Sequence, residues 1–106
     1  MENPETNSGN KTKVCDKAEE QITIPALFKV LMHNDDYTTM EFVVAVLRDI
    51  FHKPEAEAEQ IMLTIHFQGT GYCGTFPHAI AETKANLARL MARKAGFPLR
   101  CTLEEA

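Results

Sequence analysis

Asn34, Asp35 and Asp36, adjacent in the chain, and His66 further on carry the side chains best suited to hold a ligand. An ammonium group has three N–H donors, and a carboxylate oxygen, an amide oxygen and a neutral imidazole nitrogen are acceptors that match it. Charge assistance makes such hydrogen bonds roughly twice as strong as neutral ones. The set is suited to a free α-amine. A protonated imidazole has no acceptor left, so binding through His66 is expected to weaken in acid. Met40, Val43, Met62 and Ile65 fall within one or two helical turns of the polar residues. An apolar pocket beside an amine clamp would select a peptide by its free N-terminus and a bulky first side chain, and methionine walls adapt to several such side chains.

The flanking sequence says what must position these groups. Leu27 to Met32 is apolar and β-prone, and Met40, Val43, Val44, Leu47 and Phe51 recur at helical spacing, so residues 33–40 form a strand-to-helix turn. Thr38 followed by Glu41 fits a capping box at the helix start. The strand is expected over 26–33, with Phe28, Val30 and Met32 on one face and Leu27 and Leu31 on the other; apolarity on both faces places it inside the sheet or under helices. The first helix is expected over 39–52. Pro54 suits the first position of a second helix, with acids at Glu55, Glu57 and Glu59 near its positive end and an apolar face at Ala58, Ile61, Met62 and Ile65. Gly69 stops it.

Gly69-Thr70-Gly71 reads as a turn and 72–76 as a short second strand. The third helix starts at Pro77 or His78 and ends at Gly96; Ile80, Leu87, Leu90 and Met91 are expected to face the core with alanines beside them. Residues 99–104 alternate strictly, as a half-buried final strand does. The order β-α-α-β-α-β predicts an α+β domain: a small, three-stranded, mostly antiparallel sheet packed against three helices. Residues 1–24 are polar and without periodicity, which reads as a disordered, flexible N-terminal tail, and 25–106 as one core domain.

Composition narrows the classes. The chain has 106 residues, 44% of them hydrophobic, and a net charge of −4, with no long basic run. That is enough for a real core and argues against nucleic acid as the partner. No apolar run reaches the roughly 18 residues of a membrane span, and nothing resembles a signal peptide, so a cytoplasmic protein is expected. The three cysteines, Cys15, Cys73 and Cys101, are far apart and lack a C-x-x-C, so neither disulfide nor zinc is expected, and Cys73 and Cys101 read as small buried hydrophobes.

Spacing alone leaves the functional reading open, because the four apolar positions also suit a core, Asp35-Asp36 a solvated turn and His66 a helix end. Resemblance goes further. Asn34-Asp35-Asp36-Tyr37-Thr38 with Met40-Glu41-Phe42-Val43, then Met62-Leu63 and His66 with Gln68-Gly69, then Cys73-Gly74, Ala81-Glu82-Thr83-Lys84, Pro98-Leu99 and Cys101-Thr102-Leu103-Glu104 closely resemble the ClpS family. Its members are adaptors of bacterial N-end rule degradation that deliver proteins with N-terminal Leu, Phe, Tyr or Trp to the AAA+ unfoldase ClpA and the protease ClpP. The resemblance implies that Asn34, Asp35, Asp36 and His66 clamp the α-amine. It implies that Met40, Val43, Met62, Ile65 and Leu99 line the side-chain pocket, with Met40 as a gate against β-branched residues. Glu82 and Lys84 would face the ClpA N-terminal domain, and the N-terminal tail would serve delivery. No cofactor or metal is implied. Thr39 stands where relatives often have Pro, and Ala79 where they often have Glu, which implies one polar contact fewer to the unfoldase.

Two other classes remain on the residues alone. A small metal-dependent peptidase could use Asp35, Asp36 and His66, although one imidazole and two carboxylates are few ligands and no activated Ser or Cys is evident. A ribosome- or partner-binding module of the same shape is the other, since fold does not fix function.

Overall fold

The structure is a computed structural model and describes residues 24–106; the predicted tail lies outside the described residues except for Ile24, as does Cys15. β1, Leu27–His33, alternates so that Val30 and Met32 are fully buried while Leu27 stays half exposed. It is the central strand of an antiparallel sheet ordered β2-β1-β3, with β2 at Thr70–Pro77 and β3 at Arg100–Glu105. The expectation of a strand inside the sheet therefore holds, with one face covered. The three helices are α1 (Met40–Asp49), α2 (Glu55–Gln68) and α3 (His78–Ala95), in the predicted order. Val30 and Met32 share one core with Val43, Val46 and Leu47 of α1, Ala58 and Ile65 of α2, and alanines of α3.

Three boundaries differ from expectation, each for a local reason. The N-cap of α1 is Thr39, whose hydroxyl accepts from the N–H of Phe42 at 3.2 Å; the Thr38 hydroxyl is turned toward the preceding loop, where it donates to Asp35 Oδ2 at 2.7 Å. No capping box forms, and Glu41 remains as a first-turn acid that favours the helix dipole. α1 stops at Asp49 rather than reaching His52, which has a left-handed φ of 56°. Pro54 disfavours helical backbone at Lys53, so the helix cannot run on and the chain reverses here. The expected three-residue turn after α2 shrinks to Gly69, whose φ of 93° closes the helix through an N–H to the Ile65 carbonyl, and Thr70 already pairs with His33.

The largest correction concerns α3. Ala81, Ala85, Ala88 and Ala92 are the buried residues, whereas Ile80, Leu87 and Leu90 are about half exposed or more. Alanines recurring along one helix face let the backbone lie close on the sheet, and the larger side chains are left to the flanks. Met91 is partly buried against the core, as expected.

α2 also approaches the sheet closely, at Gly71. A Cβ there would stand 2.5 Å from Cγ1 of Ile65 and 3.2 Å from Cγ2 of Ile61. Replacing Gly71 by Ala is expected to lower stability by about 1–3 kcal/mol through overpacking, and to push Ile65 outward. Urea unfolding checks this; an unchanged midpoint would mean the sheet and α2 can separate freely. Cys73 and Cys101 are buried, and burial pushes their thiols up to about 12 and about 11. Both stay protonated, as small hydrophobes do.

Candidate functional site

The segment between β1 and α1 is built by Asp35. Its Oδ1 accepts from the N–H of Tyr37 at 2.8 Å and of Thr38 at 2.7 Å, and its Oδ2 from the Thr38 hydroxyl. Partial burial pushes the Asp35 carboxyl up, but these bonds, first those from Thr38, together with the charge of Arg93 outweigh it and hold the group below its ordinary value. An ionised carboxylate offers about four lone-pair sites, so the turn leaves Asp35 little free capacity. Its first task is to shape the loop.

Next to it, the N–H of Asn34 donates to the carbonyl of Gly69 at 2.9 Å. That bond ties the start of the loop to the end of α2, one turn from His66. The imidazole of His66 is exposed and meets the ring of Phe67 edge to face, with centroids 4.8 Å apart. Asn34 and Asp36 are exposed as well, with side chains open to solvent.

One cavity of about 410 Å³ gathers these groups. Asn34, Asp35, Asp36 and His66 line it, and so do Met40, Val43, Met62 and Ile65. All four predicted amine-binding residues and four of the five predicted pocket residues thus meet in one place. Its size is that of an ordinary small-ligand pocket. Leu99 is the exception: it is 1% exposed, sits in the core cluster with Val43 and Ile65, and is not part of the cavity lining. It lies one residue before β3 and packs in the core.

Sequence reasoning passed over Tyr37, Thr38 and Thr39, which also line the cavity, and Phe67 beside the imidazole. By spacing, Thr38 and Thr39 read as helix-start residues. Phe67 lies off the apolar stripe of α2 and is 77% exposed, so an aromatic out of phase with its helix was the available signal.

Glu82 and Lys84 do not come together. Residues two apart on a helix face different ways, and here Glu82 is exposed while the Lys84 ammonium donates to the Ile50 carbonyl at 2.9 Å and lies over the rings of Phe76 and Phe51. Lys84 closes the C-terminal end of α1. Among the described residues, no group of three or more His, Cys, Asp or Glu stands close enough to hold a metal ion, and no helix is long and apolar enough to cross a membrane.

The pKa of Asp35 carries a stability prediction. The folded group is held below the ordinary value of about 3.9, so in acid the unfolded chain binds the proton more readily. Its contribution is therefore complete above about pH 4 and lost as pH falls through the folded value. Asp35→Asn should be less stable than the parent near neutrality, with the difference closing below about pH 4. Urea midpoints against pH test this, and a difference independent of pH would contradict it.

Comparison with known proteins agrees with the geometry. The family model described as ATP-dependent Clp protease adaptor protein ClpS matches residues 23–102. An ATP-dependent Clp protease adapter protein ClpS of Nitratidesulfovibrio vulgaris (strain DSM 19637 / Miyazaki F) is 52% identical over 87 residues, covering 82% of this chain and 87% of that protein. The protein of the same name from Lawsonia intracellularis is also 52% identical, over 82% of this chain and 80% of its own length. The structure of Agrobacterium tumefaciens ClpS2 bound to L-phenylalaninamide superposes with a TM-score of 0.76 at 41% identity, covering 78% of this chain and all of that one. With the matched region running from before β1 into β3 and the cavity residues within it, the chain belongs to the ClpS family of Clp protease adaptors and is an adaptor, not an enzyme.

Proposed function

We propose that this chain binds proteins that begin with Leu, Phe, Tyr or Trp and delivers them to the unfoldase ClpA for degradation by ClpP in the cytoplasm. The observation that carries this reading is the single cavity lined both by Asn34, Asp35, Asp36 and His66 and by Met40, Val43, Met62 and Ile65. Acceptors for an ammonium and walls for an apolar side chain meet there, which matches the two ends of an N-terminal residue. The ligand of Agrobacterium ClpS2 has that chemistry: a free α-amine, a benzyl side chain and an uncharged carboxamide in place of the next peptide bond.

Burying one large apolar side chain contributes about 1.5–3 kcal/mol, and each hydrogen bond to the charged amine about 1.5–3 kcal/mol. Set against the loss of translational and rotational freedom, these terms give affinity of micromolar order. Delivery then depends on docking. α3 would meet the ClpA N-terminal domain through Glu82 and Lys84; one donor of the Lys84 ammonium is spent on Ile50, leaving two for a partner carboxylate. Residues 1–24 would act as a tether that raises substrate concentration at the unfoldase.

The test is reconstitution. With ClpA, ClpP and ATP, the full chain should accelerate degradation of a fluorescent reporter that begins with Phe and leave the same reporter beginning with Val unaffected. Equal rates for the two reporters would remove the delivery reading.

A further inference from the structure

The chain carries a net charge of −4, yet four cations gather where α3 ends and β3 begins: Arg89, Arg93, Lys94 and Arg100. Among the described residues, none of them forms an ion pair. Arg89 donates to the Cys101 carbonyl at 2.7 Å and to the Asn86 amide oxygen, and Arg93 to the carbonyls of Phe97 at 2.9 Å and Leu99 at 3.2 Å. Such bonds hold both guanidiniums in place but leave their charge unmatched, and each keeps three of its five N–H donors for a further acceptor. The Arg93 charge is felt at Asp35, whose carboxylate is occupied by its own loop. Asn86, Arg89, Leu90 and Arg93 line a cavity of about 390 Å³ that shares no residue with the clamp cavity. Leu90 is 61% exposed and Leu87 48%. Fixed guanidiniums beside bare leucines suit a segment that carries carboxylates and apolar side chains together.

We propose that the occupant is a segment of this chain's own N-terminal extension, Val14 to Ile22, which docks along the C-terminal half of α3 with its carboxylates on Arg89 and Arg93. The segment has the required build: Asp16, Glu19 and Glu20 against one base, Lys17, with Val14 and Ile22 at its ends to meet the leucines. Reach allows it. His78, the first residue of α3, packs edge to face on Phe28 near the start of β1, whereas Arg89 binds the carbonyl of Cys101, which pairs with Met32 near the end of that strand. The helix therefore runs along β1 away from the point where the extension joins, and Arg89 stands about 17 Å along it at 1.5 Å per residue. At about 3.3–3.6 Å per residue, the five residues from Glu19 to Ile24 cover that distance and the eight from Asp16 exceed it. Exposed ion pairs are individually weak. Tethering makes the encounter intramolecular, at an effective concentration of millimolar order, so a few of them suffice. A partner that recruits the extension must then lift it from α3.

Cys73 and Cys101 are buried, so a nitroxide label on the full chain can be directed to Cys15, beside Asp16. Paramagnetic broadening of backbone amide signals then reports where the segment lies. At low salt the amides from Asn86 to Arg93 should lose intensity relative to the chemically reduced label, and high salt, which screens exposed charges, should restore them. Glu19→Gln with Glu20→Gln should abolish the loss, while Glu2→Gln with Glu5→Gln, which removes the same charge from outside the segment, should preserve it. Both pairs lie outside the core, so neither puts its folding at risk. If the two double variants behave alike, the attraction is one of overall charge and the docking is overturned. Absence of broadening on α3 would overturn it too and leave the cations to a foreign acidic partner. A mixture of labelled chain with isotope-enriched, unlabelled chain separates the last case: broadening of α3 there would give the surface to a second copy and overturn docking within one chain.

Discussion

Replacing His66 by Ala should weaken binding of a Phe-first peptide about 10- to 100-fold, the loss of one hydrogen bond to a charged group. The side chain is exposed in the last turn of α2 and lines the clamp cavity, and the carbonyl of Gly69 just beyond it receives the N–H of Asn34. Alanine is a better helix former than histidine, so α2 and its tie to the loop should persist in the variant. A drop in affinity with unchanged thermal stability then reports on the clamp and not on the fold. The same logic gives a pH test. Protonation removes the acceptor on the imidazole, so the parent chain should lose affinity in acid while His66→Gln, whose amide keeps an acceptor, should not. Isothermal titration of both across an acid series checks this. Equal affinity of His66→Ala and parent would remove His66 from the clamp.

Replacing Met40 by Ala should admit peptides that begin with Val or Ile, tightening their binding about 5- to 100-fold while changing Phe-first peptides far less. Met40 is the first residue of α1, 41% exposed, and lines both the clamp cavity and an acidic-rimmed groove between α1 and α2. A β-branched side chain places its second γ-substituent close to the backbone, where the clamp fixes the chain and Met40 borders the space. Leu and Phe carry their bulk further out and pass. Truncating the thioether joins the two cavities at that point and relieves the clash. A competition series of first residues on parent and variant measures it; continued exclusion of Val by Met40→Ala would move the gate elsewhere among the lining residues, such as Thr38 or Val43.

The parts of this fold that were legible in sequence are those fixed by local chemistry. Gly69 and Gly96 end α2 and α3 in left-handed conformations as expected of glycine after a helix, and the alternation of 99–104 gives β3 to within a residue. The meeting of these polar and apolar residues at one cavity was legible because Asn34 to Asp36 lie on the loop that opens α1 and His66 on the last turn of α2, two places the sheet brings together through β1 and β2. What escaped depends on competition between neighbours or on packing. Thr39 rather than Thr38 caps α1, while the Thr38 hydroxyl turns back to donate to Asp35, and nothing in the spacing of Thr38 and Glu41 reveals that. Ile80, Leu87 and Leu90 read as core because large side chains dominate a periodicity, while the alanines between them were small enough to bring α3 onto the sheet. Leu99 enters the pocket set through the resemblance alone, since nothing in its own spacing separates it from the core in which it is buried. The acidic groove between α1 and α2 has no signature in either helix alone, since its two walls meet only when the helices dock.

Fluorescence anisotropy with two peptides identical except for the first residue, Phe or Val, each with its amine free and acetylated, tests the central claim most directly. Tight binding of the free Phe peptide alone is the predicted result, because only that ligand satisfies the acceptors of Asn34 to Asp36 and His66, fills the cavity and passes Met40. Equal binding of all four would contradict it, reducing the loop between β1 and α1 to a connection and leaving the cavity without a role in choosing substrates.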